Sequence, residues 1–229
     1  MLADRHEARK AGVFPSKHYR FREGKMIAEL RALDICCGCG GMSMGLHRAG
    51  FSVTGVDLRR QPNYPFSFIQ MDFRRLTYEQ LLSYDYLHFS PPCQAYSRAS
   101  YWSRKAGRVY PDLIPDARRY AVASGKPYTI ENVPGSSVKG IRLYGDMFGL
   151  PILRERIFEN NMHLVTHLPR QKNDRRIITV AGHHTGKINT WQWAMGIDWA
   201  ASHELREAIP PAYGEEIGRL VLSYLWERA

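Results

Sequence analysis

Cysteine is scarce in these 229 residues: there are four, and three of them crowd into CCGCGG at residues 36–41. Adjacent Cys36 and Cys37 do not make a disulfide framework, so a reducing compartment is expected. Zinc sites take paired ligand spacings, and no second pair lies near this stretch, so no metal is expected. Long apolar runs are missing as well. RLVLSYLW near the C-terminus is far too short to cross a bilayer, which removes the membrane as a partner. The opening MLADRHEARKAG lacks the apolar centre of a secretory signal, and a cytoplasmic protein is expected. There is no acidic excess: 32 Lys and Arg face 22 Asp and Glu, a formal charge of +10. A surplus of that size points to a polyanion, here nucleic acid. No internal repeat is visible, and the length fits one domain with a full core.

Short apolar runs alternate with helical patterns, which predicts an α/β fold with a mostly parallel sheet and helices on both faces. The expected strands are 31–36, 51–57, 66–72, 84–90, 128–133 and 175–182. A helix is expected in GGMSMGLHRAG, ending at Gly50, with others in YEQLLS and in DLIPDARRYAVASG. Three regions break the rhythm. Residues 1–29 form a basic, aromatic extension; residues 95–111, AYSRASYWSRKAGRVYP, a basic loop; and residues 159–190 contain RQKNDRR and GHHTGK. Loops at the carboxyl edge of a parallel sheet are where such folds build their sites.

LDICCGCGGMSMGL reads as a strand, a glycine turn and a helix. Gly38, Gly40 and Gly41 permit positive φ and close approach of a ligand, and the helix N-terminus offers free N–H groups. A dinucleotide site would read G-x-G-x-x-G; here the order is G-x-G-G-x-x-x-G. Asp34 precedes the glycines, and Asp57 and Asp72 end the next two strands. A pyrophosphate would be repelled by such acids. A cofactor with an amine, a ribose and an adenine suits them, which describes S-adenosylmethionine. Two of the acids have a plainer reading: Asp57 could cap a turn, and Asp72 the helix that follows it.

SPPCQAYS (90–97) brings Cys93 out of a buried strand behind two prolines, so its thiol projects instead of packing. Glu131, in IENV, stands at the end of the next strand, where an acid among apolar residues needs a purpose. Thiol, carboxylic acid and sulfonium donor together suit conjugate addition to a pyrimidine followed by alkyl transfer.

Six pieces standing in order, LDICCGCGG, VTGVDL, QMDF, SPPCQAYS, ENVPG and RERIF, resemble the cytosine-C5 DNA methyltransferase family, in its compact, bacteriophage-type form. The likeness covers residues 31–159 well and is weaker over SHELREAIPPAYGEEIG (202–218). It implies a Rossmann-like fold, one domain divided into an N-terminal extension (1–29), a catalytic core (30–159), a much reduced target-recognition segment (160–190) and a C-terminal segment returning to the core (191–229). It implies that Cys93 attacks C6 of a flipped-out cytosine, Glu131 protonates N3, Arg156 contacts O2, and Arg154 supports it. The donor would touch Asp34, Cys36, Gly38, Gly40, Gly41 and Pro92, with Asp57 on the ribose, Asp72 on the adenine amine, and Leu58 and Phe73 flanking the ring. Double-stranded DNA would meet Gln94, Ser97, Arg98, Arg104, Lys105 and Arg108, then Arg175, His183 and Lys187. A monomer acting in a bacterial or phage-infected cell is expected.

The chain departs from the family pattern in three places. Cys36 replaces a phenylalanine that packs on the donor, and Ile152 replaces the glutamine opening the arginine motif. Only about 30 residues separate RERIF from WQWAMGIDW, so a short or relaxed recognition sequence is expected. The competing readings are an RNA cytosine methyltransferase, a DNA-binding relative without catalysis, and a dinucleotide-dependent oxidoreductase.

Overall fold

The computed structural model describes residues 19–22, 25–171, 177–181 and 187–228. Strands β1 (Tyr19–Arg22) and β2 (Lys25–Ala28) form a small antiparallel ribbon of their own. The main sheet contains β3 (Arg31–Ile35), β4 (Ser52–Asp57), β5 (Ser67–Gln70), β6 (Tyr86–Phe89), β7 (Tyr128–Asn132), β8 (Ile141–Leu143) and β9 (Arg156–Asn160). Its order is β5-β4-β3-β6-β7-β9-β8. The first five strands are parallel; β9 runs antiparallel to both β7 and β8. The chain leaves β3 toward β4 on one side and later returns to β6 on the other. A crevice therefore opens at the carboxyl ends of β3 and β6, where open α/β sheets bind ligands.

Both faces are covered. On one, α1 (Gly41–Ala49) and α7 (Pro211–Trp226) pack Met42, Leu46, Ile217 and Val221 onto Ala32, Val53, Tyr86 and Phe158. These two helices approach through small residues: a Cβ on Gly45 would lie 2.2 Å from the Pro211 carbonyl oxygen, and one on Gly214 would lie 2.5 Å from that of Met42. On the other face, α2 (Tyr78–Leu82) and α4 (Ile114–Ser124) bury Leu81, Ile114, Ala117 and Ala121 against Leu33, Ile35, Leu87 and Ile130. A third cluster joins α5 (Ile188–Met195) and α6 (Ser202–Glu207) to Cys39 and Ile152. The short α3 (Tyr101–Lys105) lies in the loop after β6.

Five of the six expected strands form, trimmed at their ends. The sixth, expected at 175–182, does not: residues 177–181 have no regular structure, and the rest of that span lies outside the described residues. The sheet is completed instead by β8 and β9, which the sequence reading left unassigned. The three expected helices form at 41–49, 78–82 and 114–124.

Candidate active site

The parallel strands deliver the glycine turn, Asp57, Cys93 and Glu131 to one edge of the sheet. Strand β9 contributes from the opposite direction. Because it runs antiparallel, with Phe158 opposite Glu131, its first residue, Arg156, arrives at the carboxyl end of β7. Arg156 Nε lies 2.9 Å from Glu131 Oε1. That oxygen nevertheless has no aligned hydrogen-bond donor, so the contact is ionic and leaves a buried acceptor unspent. Burial pushes the Glu131 carboxyl above its usual range, while Arg156, Arg154 and the Ser90 hydroxyl pull it back.

Cys93 is half-buried in a tight turn whose carbonyl accepts the N–H groups of Tyr96 (2.9 Å) and Ser97 (2.8 Å). Desolvation raises its thiol above the ordinary value; Arg156 and Arg154 oppose that, and Glu131 and Glu207 add to it. The cysteine, the glutamate and both arginines thus share one electrostatic environment. Asn132, which stands in ENVPG but had no role assigned, donates to the Pro91 carbonyl at 2.9 Å and fastens the end of β7 to the cysteine loop.

Arg154 is a clamp. Its guanidinium donates to the carbonyls of Ala208 (2.8 Å), Val180 (3.1 Å), Leu205 (3.2 Å) and Arg206 (2.7 Å). Burial, with Arg156 nearby, pushes its pKa down to about 9. Its φ of 32° is a left-handed conformation that costs backbone energy, and the four carbonyls offset that cost. The residue ties the segment after α6 to the start of β9.

The glycine turn divides into an open and a packed part. Gly38 (φ 50°) has nothing within 4 Å of where a Cβ would stand, and its N–H donates to Asp57 Oδ2 at 3.1 Å. At Gly40 (φ 84°) a Cβ would meet the Tyr64 ring at 2.8 Å, and at Gly41 the Ile209 carbonyl at 2.1 Å. Gly41, expected to serve a ligand, serves the packing of the C-terminal segment. Cys36 holds φ 61° at the turn's first position. Burial and then the charges of Asp57, Asp34 and Asp72 raise its thiol far above the ordinary value. Three carboxyl groups therefore stand near the turn.

The three acids differ in their surroundings. Asp34 is fully buried under α1, where it accepts from Ser43, whose hydroxyl also meets the Tyr64 phenol at 2.7 Å. It supports the turn from beneath. Asp57 is half-exposed at the end of β4, spanning the N–H groups of Gly38 and Arg59. Asp72 caps the 3₁₀ turn 73–75 through the Arg74 N–H (3.0 Å) and pairs with the Arg74 guanidinium at 2.6 Å. The plainer reading of Asp72 as a cap therefore describes what its carboxylate does here. Leu58 is 64% exposed beside Asp57, whereas Phe73 is buried edge-to-face against Phe89 and Tyr120. Pro92 is half-buried beside Cys93.

The loop after Cys93 sorts its polar groups. Arg104 donates through Nη1 to the carbonyls of Gln94 (2.7 Å) and Ser97 (2.8 Å), so it braces the loop. Ser97 caps the turn 98–100. Arg98, Lys105 and Arg108 are exposed, with Lys105 against the Trp102 ring and Arg108 against Tyr110. Gln94 donates to Glu207 at 3.3 Å, and Glu207 also binds Arg59 at 3.2 Å, joining the cysteine loop to the loop after β4. Lys187 is exposed at the start of α5. Arg175 and His183 lie outside the described residues. Among the described residues, no His, Cys, Asp and Glu cluster could hold a metal, and no helix is long and apolar enough to cross a membrane.

This is a doubly wound α/β protein with a half-buried cysteine, a buried acid and a paired arginine at its switch point. Residues 30–139 match the family model described as C-5 cytosine-specific DNA methylase. Residues 30–139 are therefore the part of this chain that is similar to that family. It is 28% identical over 159 residues to the Type II methyltransferase M.HgiDI of Herpetosiphon aurantiacus, covering 56% of this chain and 51% of that one. To the Type II methyltransferase M.NgoMIV of Neisseria gonorrhoeae it is 33% identical over 116 residues, 47% of this chain and 36% of the other. The chain thus spans about half, or less, of these curated relatives. Its fold is that of S. pombe Dnmt2 methyltransferase (TM-score 0.53, 14% identity, 85% of this chain and 99% of that one). The Entamoeba histolytica methyltransferase EhMeth is equally similar (TM-score 0.53, 13% identity, 87% and 98%).

Proposed function

We propose that the protein is a DNA (cytosine-5-)-methyltransferase acting through a covalent bond between Cys93 and C6 of an extruded cytosine. The observation that carries this reading is the meeting of Cys93, Glu131 and Arg156 at one sheet edge, beside an open glycine turn with carboxyl groups near it. The turn fits S-adenosylmethionine. Gly38 opens onto free space, Asp57 offers a half-exposed carboxylate to a ribose, and the surrounding carboxylates favour a cation over a pyrophosphate. Leu58 and Pro92 would flank it. When bound, that cofactor supplies the methyl group received by C5.

The chain's own residues do the rest. The Cys93 thiolate forms a bond to C6 while Glu131 gives its proton to N3, which draws the displaced electron pair toward the ring and makes C5 nucleophilic. Arg156, already against Glu131, neutralises the carboxylate left behind and is free to turn a guanidinium N–H toward O2. After C5 is methylated, a base removes its proton and the pair returns to C6, expelling the Cys93 thiolate. The cytosine must leave the stack, because C5 and C6 are covered in a duplex. Arg98, Lys105 and Arg108, exposed on the loop after Cys93, would contact the flanking phosphates, and the short segment before α5 would read few bases.

Transfer of tritium from labelled S-adenosylmethionine to double-stranded DNA, with tRNA in parallel, tests the reading. Incorporation into DNA that disappears in Cys93→Ala supports it; incorporation into tRNA alone would replace DNA as the substrate.

A further inference from the structure

Tyr86, His88 and Ser90 alternate along β6 and the residue just past it, so they share one face of the sheet. Thr129 and Glu131 alternate likewise on β7, and the parallel register sets His88 opposite Thr129. The result is a buried polar row within the core. Tyr86, His88 and Thr129 are wholly inaccessible, and the Glu131 side chain nearly so. The Tyr86 phenol meets the Thr129 hydroxyl. His88 Nδ1 lies 2.7 Å from Thr129 Oγ1, and His88 Nε2 lies 2.7 Å from Ser90 Oγ. The register that sets Phe89 opposite Ile130 brings Ser90, the next residue, beside Glu131 on this face, where its hydroxyl favours the ionised carboxyl.

The hydrogens in this row can be assigned by counting donors. Burial pushes the His88 pKa down to about 3, so the ring is neutral near pH 7 and has one N–H. Ser90 has one hydrogen, and a carboxylate can only accept. If Ser90 donates to Glu131, it must accept from His88, which places the ring proton on Nε2. Nδ1 then accepts from Thr129, and Thr129 accepts from Tyr86. Tyr86 only donates, Thr129 accepts once and donates once, and Ser90 accepts from His88, which leaves its hydrogen to turn toward Glu131.

We propose that His88 and Ser90 are positioning residues for Glu131: the imidazole fixes the Ser90 hydroxyl as a one-way donor to the carboxyl that protonates the base. This rests on the role assigned to Glu131 above. A donor so fixed favours the carboxylate that remains after the proton has gone to N3. The charged and titratable groups around Glu131 are Arg154 and Arg156 at the start of β9, Cys93 after β6, Asp34 on β3 and Tyr213 on α7. None of these is removed by changing Ser90 or His88.

The test is an infrared pH titration of the protonated Glu131 carboxyl band, assigned by its absence in Glu131→Gln. Ser90→Ala and His88→Phe shift the midpoint upward, and Ser90→Thr, which keeps the hydroxyl, restores it. Methyl transfer supplies a second readout. With a carboxyl titrating below a thiol, the acid limb of the kcat/KM profile follows the carboxyl, so it moves upward in Ser90→Ala while KM for DNA is unchanged. A folded Ser90→Ala variant with an unmoved midpoint overturns the inference, whatever His88→Phe does. A wild-type chain that titrates as described but transfers no methyl group overturns the methyltransferase reading, and the positioning contact stands.

Discussion

Arg156 and Glu131 face each other across the antiparallel β7–β9 pair, 2.9 Å apart, with side chains 12% and 8% exposed. Strand direction makes this meeting possible: an arginine at the start of β9 reaches an acid near the end of β7 only because the two run oppositely. Breaking such a pair leaves a buried charge without compensation. Arg156→Leu is expected to lower stability by about 3–5 kcal/mol in denaturant titration and to move Glu131 further up. Glu131→Gln keeps the shape and removes the proton, so single-turnover methylation should fall by roughly 10²–10⁴ with the melting temperature little changed.

Arg154 acts on structure before chemistry. A lysine cannot reach four carbonyls in a fan, so Arg154→Lys should lower stability by at least about 2 kcal/mol and loosen residues 205–208. Hydrogen exchange at those amides is the measurement.

Asp34 makes stability depend on pH. Burial, the main cause, raises its pKa from 3.8 to about 7, so between these values the folded chain binds more protons than the unfolded one. Stability contributed at this site is therefore lost as pH rises from about 4 to 7. Asp34→Asn removes that loss and should gain on the wild type, by a few kcal/mol at most, across the same interval. His88 works in the opposite sense, its contribution rising from about pH 3 toward 6.5. It is common to both proteins and cancels in the comparison of their melting temperatures at each pH.

The basic loop predicts a salt effect. Lys105→Ala and Arg108→Ala should each weaken DNA binding on every sequence alike and lower the slope of log K against log salt by roughly 1. Arg104→Ala, which loses a brace within the loop, should disturb catalysis more than that slope.

Strands β3 to β7 were legible because apolar runs and turn residues punctuate them, and Cys93 and Glu131 because each interrupts such a run at its end. Strands β8 and β9 were not: IRL and RIFEN are short and carry charges that become intelligible only once β9 pairs with β7 and β8 with β9. The run at 175–182 reads as β-forming by composition, yet among the described residues, 177–181 meet the rest of the backbone through Ile178 N–H to the Pro151 carbonyl at 2.7 Å, and the Arg154 side chain holds the Val180 carbonyl. Asp34 and Asp72 look alike in sequence and differ in what lies within 3 Å. His88 was missed although its signal was present: the argument that an acid in a buried strand needs a purpose applies equally to a histidine between Leu87 and Phe89.

The central claim is that Cys93 bonds to the base it modifies. DNA containing 5-fluorocytosine, whose C5 fluorine a base cannot remove, should leave the wild-type chain joined to DNA after denaturation in the presence of S-adenosylmethionine, and should leave Cys93→Ala free. No joined species with the wild type, or the same yield with Cys93→Ala, would contradict it.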